Sequence, residues 1–238
     1  MSDTPFSGDV ALITGASRGI GAETAVALAK AGAHVILTAR DTQALEAVEE
    51  KIHAAGGSAT IAPVDLGEPD GIARLATAIA QRWERLDILI MNAAVMPQLG
   101  PVADIDPEDF NKTLTVNVLA PQALIASFDT LLKKSKNARI IGLSSSVAKN
   151  PRAYWGAYAS SKAAFDNLLE CYAQETENIA KLRVAIVNPG ATRTDMRARA
   201  YPGEDPNSLK PPEDVANRLV ALLGEQFATG HKETVNHS

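Results

Sequence analysis

Six short apolar runs, each separated from the next by a helix-patterned segment, constrain this chain more than any other feature. They fall at residues 9–14, 33–37, 58–64, 86–91, 139–143 and 182–187. Nearly continuous apolar runs of this length suit strands buried on both faces of a parallel sheet. Between them, Asp41 is placed to cap a helix whose Leu45, Val48 and Ile52 share one face. Asp106-Pro107-Glu108 reads as an N-cap followed by proline at the first helical position. Pro212-Glu213-Asp214 opens a late helix with Val215, Leu219 and Leu222 spaced for burial. Strand alternating with helix predicts an α/β fold: a doubly wound parallel sheet of about seven strands, helices on both faces and right-handed crossovers. One domain is expected to span residues 1–238, with a final strand inside the polar stretch 230–238. Residues 195–211 show no periodicity and centre on the turn-rich Pro202-Gly203-Glu204-Asp205-Pro206, as expected either of a loop that covers a binding site or of a passive surface excursion.

Composition narrows the function. A net charge of −5 argues against nucleic acid as a partner. No apolar run approaches the length needed to cross a membrane, and the first residues carry neither the basic flank nor the apolar stretch of a secretory signal. Cys171 is the only cysteine, which excludes an internal disulfide and fits a reducing cytoplasm. Its helical surroundings are apolar, so it is expected to pack inside.

The first run ends in Thr14-Gly15-Ala16-Ser17-Arg18-Gly19-Ile20-Gly21 and continues into a helical pattern. Glycines at a strand-to-helix turn permit a tight bend and close approach of a ligand to the backbone, and the helix offers free N–H groups and a positive dipole end to a pyrophosphate. The turn lacks the Gly-Lys-Ser/Thr ending of a triphosphate-binding loop. The second run closes on Leu37-Thr38-Ala39-Arg40-Asp41. An acidic residue there would accept from both ribose hydroxyls of NAD; Ala39 offers nothing, whereas Arg40 and Arg18 offer cations to a 2′-phosphate. The expected cofactor is NADP(H) in preference to NAD(H). Asp65, past the third run, can accept from the adenine amino group or cap the helix that follows.

Tyr158-Ala-Ser-Ser-Lys162 places a phenol and an ammonium group on one helix face, a turn apart. Tyrosine ordinarily holds its proton up to about pH 10. A neighbouring cation lowers that value, which makes the pair a candidate general acid/base for a hydroxyl oxygen.

With these motifs in order along nearly its whole length, the chain resembles a classical short-chain dehydrogenase/reductase. The matching residues are the Thr14–Gly21 turn, Asn92-Ala93-Ala94, Asn117, Ser144-Ser145, Tyr158 with Lys162, and Asn188-Pro189-Gly190. The resemblance implies a Rossmann-type fold and a hydride-transferring oxidoreductase acting on a small-molecule carbonyl or alcohol, with no metal. Tyr158 would be the acid/base, and Lys162 would lower its pKa and hold the nicotinamide ribose. Asn117 would bind a water linking Lys162 to solvent, and Ser145 would hold the substrate oxygen. Family spacing, thirteen residues before the tyrosine, selects Ser145 over Ser144 and Ser146. Cofactor contacts are implied for Gly15, Ser17, Arg18, Gly19, Ile20, Gly21, Arg40, Asp65, Leu66, Asn92, Ala93, Tyr158, Lys162, Pro189 and Gly190. After the sixth run, Thr192 and the Thr194 hydroxyl would meet the nicotinamide carboxamide. Two departures stand out: Ala94 replaces the usual glycine, and the polar 230–238 end replaces an apolar strand. The second favours a homodimer through the Tyr158 helix region, with a tetramer as the alternative. A non-catalytic NADP-binding sensor is the rival reading; its usual mark, loss of the Tyr/Lys pair, is not found here. The order Trp155-Gly156-Ala157-Tyr158 resembles a bacterial branch of mostly uncharacterised oxidoreductases.

Overall fold

The computed structural model describes residues 4–178 and 181–236. All six apolar runs become strands: β1 (Val10–Thr14), β2 (His34–Thr38), β3 (Ser58–Ile61), β4 (Ile88–Met91), β5 (Ala138–Leu143) and β6 (Leu182–Asn188). A seventh, β7 (His231–Thr234), lies in the polar tail as expected; His237 and Ser238 lie outside the described residues. The sheet order is β3-β2-β1-β4-β5-β6-β7, and every pairing is parallel. β7 can be polar because it is an edge strand with alternate residues exposed, where charge also discourages pairing with other chains.

The helices are α1 (Gly19–Lys30), α2 (Thr42–Ala54), α3 (Gly71–Arg82), α4 (Pro107–Leu114), α5 (Ala120–Lys134), α6 (Gly156–Thr176), α7 (Asp195–Ala200) and α8 (Pro212–Gly224). Side chains alternate along the strands and so feed two cores. Ile13, Val35 and Ile141 pack with Leu28, Leu45 and Leu219 on one face. Leu12, Ile36 and Ile140 pack with Leu75, Phe128 and Leu169 on the other. The caps form as expected: Asp41 accepts from the Ala44 N–H at 3.1 Å, and Asp106 from those of Glu108 and Asp109, both at 2.9 Å.

Three expectations change. First, a π turn at Thr115–Leu119 joins α4 and α5 into one helix over Pro107–Lys134, long and apolar enough by length and composition to cross a membrane. The sequence hid this because the charged start of α4 and its proline break up the apolar pattern. In the fold, Leu124, Phe128, Leu131 and Leu132 turn one face of that helix into the core. Second, residues 195–211 are not structureless. They open with α7, capped by Thr194, and Arg197 grips Glu204 through two bonds of 2.6 and 2.5 Å. The Arg193 N–H donates to the Lys210 carbonyl at 2.9 Å and closes the segment at its base. Third, Cys171 is exposed; its neighbours Tyr172 and Ala173 take the inward face of α6.

Strand order reverses direction between β1 and β4. In an open parallel sheet the crevice at the carboxyl ends of such a pair is where ligands bind.

Candidate active site

The chain leaves β1 through Gly15, whose φ of 65° lies in the left-handed region that favours glycine. Packing here is close. A Cβ on Gly15 would lie 2.8 Å from Asn92 Nδ2, and one on Gly21 would lie 2.3 Å from the Gly15 carbonyl oxygen. Asn92, just beyond β4, is the cause. Its amide donates to the carbonyl oxygens of Thr14 and Gly15 at 2.9 and 3.1 Å. The Thr14 hydroxyl in turn accepts from the N–H groups of Asn92 and Ala93 at 3.0 and 3.1 Å. The two strands of the switch point are thereby tied together. The Asn92 amide nitrogen is a clamp on the turn, a role the sequence did not reveal.

Arg18 stands at the N-cap of α1 and makes no side-chain capping bond. The first N–H groups of the helix and its positive dipole end therefore remain open toward the crevice, beside half-buried Ser17, Gly19 and Ile20. This cradle fits a dinucleotide pyrophosphate. Arg40 follows β2, with Nη1 4.0 Å from Asp65 Oδ2, and Arg18 Nη1 lies 3.3 Å from Asp195 Oδ2. Both guanidinium groups are largely exposed, and neither is committed to a buried partner. Their chemistry fits a phosphate ester on the adenosine ribose better than free ribose hydroxyls. Asp65 does not cap a helix. Its Oδ1 accepts from the Gly67 N–H at 2.9 Å in a local turn, and α3 starts later, after Asp70. Leu66 packs its side chain against the core.

On the other side of the crevice, Tyr158 and Lys162 point inward from α6 and are 7% and 3% exposed. Burial pushes the Tyr158 phenol above its ordinary value. It also brings the Lys162 ammonium down to about 8, an effect opposed by the carboxylate of Asp166. The expected lowering of the phenol by Lys162 is thus outweighed: a phenolate is poorly solvated in this cluster, and Lys162 Nζ is engaged by the Leu143 carbonyl at 2.7 Å. The Tyr158 hydroxyl faces the Met196 sulfur at 3.9 Å, under a small apolar cluster that includes Val147, Met96 and Trp155.

Ser145 is half-buried at the end of β5 and caps the short turn Ser146–Ala148, its Oγ accepting from the Val147 N–H at 3.4 Å. It borders a cavity of about 240 Å³ that also reaches Ser144, Asp166 and Asn188. Asn117 sits in the π turn, fully buried. Its Oδ1 accepts from the Val95 N–H at 2.8 Å, while its Nδ2 donates to the Val95 carbonyl at 2.8 Å and to Ser161 Oγ at 3.0 Å. Both amide hydrogens are therefore taken by protein groups.

Beyond β6, Gly190 has a φ of 66° and its N–H donates to Asn188 Oδ1 at 3.0 Å. The Thr192 hydroxyl is turned back onto the carbonyls of Pro189 and Gly190 at 3.1 and 3.3 Å. That of Thr194 caps α7, accepting from the Arg197 N–H at 3.2 Å. Both threonines lie where expected, but their hydroxyls serve the loop. The sequence also passed over Ser161, Asp166 and Lys210. The first two lie three and eight residues beyond Tyr158, so helical spacing marks them as its near-face neighbours. Lys210, buried with Nζ donating to the Ala191 carbonyl at 3.2 Å, comes from a distant loop and left no local signal.

Residues 9–205 match the short chain dehydrogenase family model. The chain is 37% identical over 219 residues to the uncharacterized oxidoreductase YciK of Escherichia coli K12, covering 91% of this chain and 86% of that one. A short chain dehydrogenase from Salmonella enterica serovar Typhi superposes with a TM-score of 0.94 at 35% identity, over 100% of this chain and 99% of the other. A short chain dehydrogenase-type protein from Escherichia coli CFT073, complexed with NADPH, matches with a TM-score of 0.94 at 35% identity over 100% of both chains. Fold, motif order and these likenesses agree that the chain belongs to the short-chain dehydrogenase family, as an NAD(P)-dependent short-chain dehydrogenase/reductase.

Proposed function

We propose that this protein interconverts a carbonyl and an alcohol on a small molecule, with NADP(H) as the preferred cofactor and Tyr158 as the acid/base. One observation carries the reading: a buried tyrosine and lysine share a helix face at the carboxyl edge of the sheet, across the switch point from an uncapped glycine turn. The cofactor, when bound, supplies or accepts the hydride. Gly15 and Gly21 let the turn close against Asn92, the open N–H groups at Gly19 and Ile20 would take its pyrophosphate, and Arg18 and Arg40 would bind the 2′-phosphate. NADPH in the Escherichia coli CFT073 relative supports that preference. Asn92, Ala93, Pro189, Gly190 and the Thr192 backbone line the nicotinamide end.

Ser145 and Tyr158 hold the substrate oxygen between them. Raised by burial, the Tyr158 phenol stays protonated near neutrality, which suits donation to the oxygen as a carbonyl is reduced. The Lys162 charge offsets the phenolate that results. Asn117 acts as a positioning residue: it fixes the Val95 segment and Ser161. The 195–211 segment closes the substrate side, and the enzyme works as a cytoplasmic homodimer.

The test is NADPH oxidation against aldehydes, ketones and quinones, repeated with NADH. Replacing Tyr158 by Phe should lower kcat/KM by about 10²- to 10⁴-fold with NADPH affinity retained. Full turnover by that variant refutes the assignment, and tight NADPH binding with no turnover on any carbonyl points to a sensor instead.

A further inference from the structure

Tyr158, Lys162 and Asp166 follow one another at four-residue intervals along α6, which sets them in a row on its buried face. The mechanism above uses the first two. Asp166 is 7% exposed, an unusual position for a carboxylate, and its Oδ1 has no hydrogen-bond partner among the described residues. Ser144 Oγ, buried at the end of β5 and close enough to draw the Asp166 carboxyl down, also makes no hydrogen bond of regular geometry. Both residues line the cavity of about 240 Å³ between β5, β6 and β7, a polar space that opens to solvent. Two buried polar groups without a regular hydrogen bond, at the wall of such a cavity, are groups that water satisfies.

The charges around Asp166 are already paired with each other. On α6, Glu170 is bonded by Lys232 of β7. On β7, Glu233 takes Arg218 of α8 at 2.9 and 2.7 Å and His231 at 3.1 Å. Lys149, beyond β5, is exposed. Lys162 and Asp166 thus remain as each other's main counter-charge, one turn apart but without an ion pair inside 4.0 Å.

We propose that Asp166 is the counter-charge that keeps Lys162 protonated, and that the Ser144–Asp166 cavity is a port through which this lysine exchanges its proton with solvent. The Asp166 carboxylate takes up a proton from water at the cavity and passes it, through a water between the two side chains, to neutral Lys162; that transfer restores the carboxylate charge, and release of a proton runs the same steps in reverse. Asp166 is a positioning residue in this scheme; it touches neither substrate nor cofactor. The directions agree. Burial brings Lys162 down and Asp166 raises it, while burial pushes the Asp166 carboxyl up and Ser144 and Lys162 draw it back.

The inference rests on the Tyr158/Lys162 reading, so its test is independent of turnover. The full-length protein is labelled with ¹³Cε-lysine, the Lys162 resonance is assigned by its loss in Lys162→Arg, and its titration is followed. In Asp166→Asn the midpoint should fall by about one pH unit or more from about 8, and Asp166→Glu should restore most of the shift. In active protein, the alkaline limb of the carbonyl-reduction profile should fall by the same amount, with KM for NADPH unchanged. An unmoved Lys162 midpoint in folded Asp166→Asn overturns the proposal, even if Tyr158→Phe behaves as expected. Should Asp166→Asn not fold, Ser144→Ala serves: it should raise the pH at which Asp166 ionises and carry the acid limb upward. An unchanged acid limb there counts against the port equally.

Discussion

Lys162 holds its charge inside the protein, and its burial makes stability depend on pH. Its folded value, about 8, lies below the ordinary lysine value of 10.5. Between the two, the unfolded chain binds the proton more often than the folded one, so the Lys162 contribution to stability grows as pH rises through that window and is lost as pH falls through about 8. The slope is at most about 1.4 kcal/mol per pH unit. Lys162→Arg, which stays charged, should remove this component. Urea unfolding of both proteins at pH 7, 8 and 9 checks it, and equal slopes reject it. Asn117 poses a different residue-scale question. Asn117→Ala strips partners from both backbone groups of Val95, a loss of about 1–3 kcal/mol for each buried group left unmet. A lower urea midpoint with an unchanged m-value is the expected outcome. Neither effect is legible in the residue type: an asparagine looks the same in sequence whether it faces solvent or ties down a distant segment, and only the Val95 and Ser161 distances show the second.

Among the elements, the glycine turn and α7 act on each other. Gly21→Ala would place a Cβ against the Gly15 carbonyl and Asn92 and force the turn apart. The expected result is an NADPH Kd raised about tenfold or more, with destabilisation of about 1–3 kcal/mol; isothermal titration and thermal melts read the two separately. Arg18 and Asp195 link this turn to α7 across exposed surface. Such a pair adds little stability, at most about 1 kcal/mol. It does place the proposed 2′-phosphate ligand and the substrate-covering helix on one guanidinium. Asp195→Asn should therefore tighten NADPH binding while leaving the melting temperature within about 2 °C, and weaker binding would reject this competition for Arg18. Strand β7 and helix α7 differ in how far they could be anticipated. β7 lies within the stretch where a final strand was expected, and its polar sequence is tolerated because it is an edge strand with alternate residues exposed. α7 was missed because it is short, and its hold depends on Arg197 meeting Glu204 and Arg193 meeting Lys210.

At the scale of the whole molecule, periodicity alone determined the α/β architecture. An apolar run buried on both faces is a local property, and six of them separated by helical patterns leave few arrangements. The Gly15–Gly21 turn and the Tyr158/Lys162 spacing were equally local, since backbone conformation and helix geometry set both. Two carboxylates at the opposite edge of the sheet show the other kind of information. Asp9 and Asp87 gather Arg139, Arg85 and Ser135 at the amino ends of the strands, a structural network that no spacing announces. The tertiary structure alone decided that Asn92 clamps the turn, that Asn117 ties down Val95 and Ser161, and that Cys171 faces solvent. It alone also set Asp166 and Ser144, from different elements, against one cavity. These outcomes depend on pairs far apart in the chain meeting within hydrogen-bond reach or sharing a buried wall. Such meetings depend on how the packed layers come together, and residue order states only which layers there are.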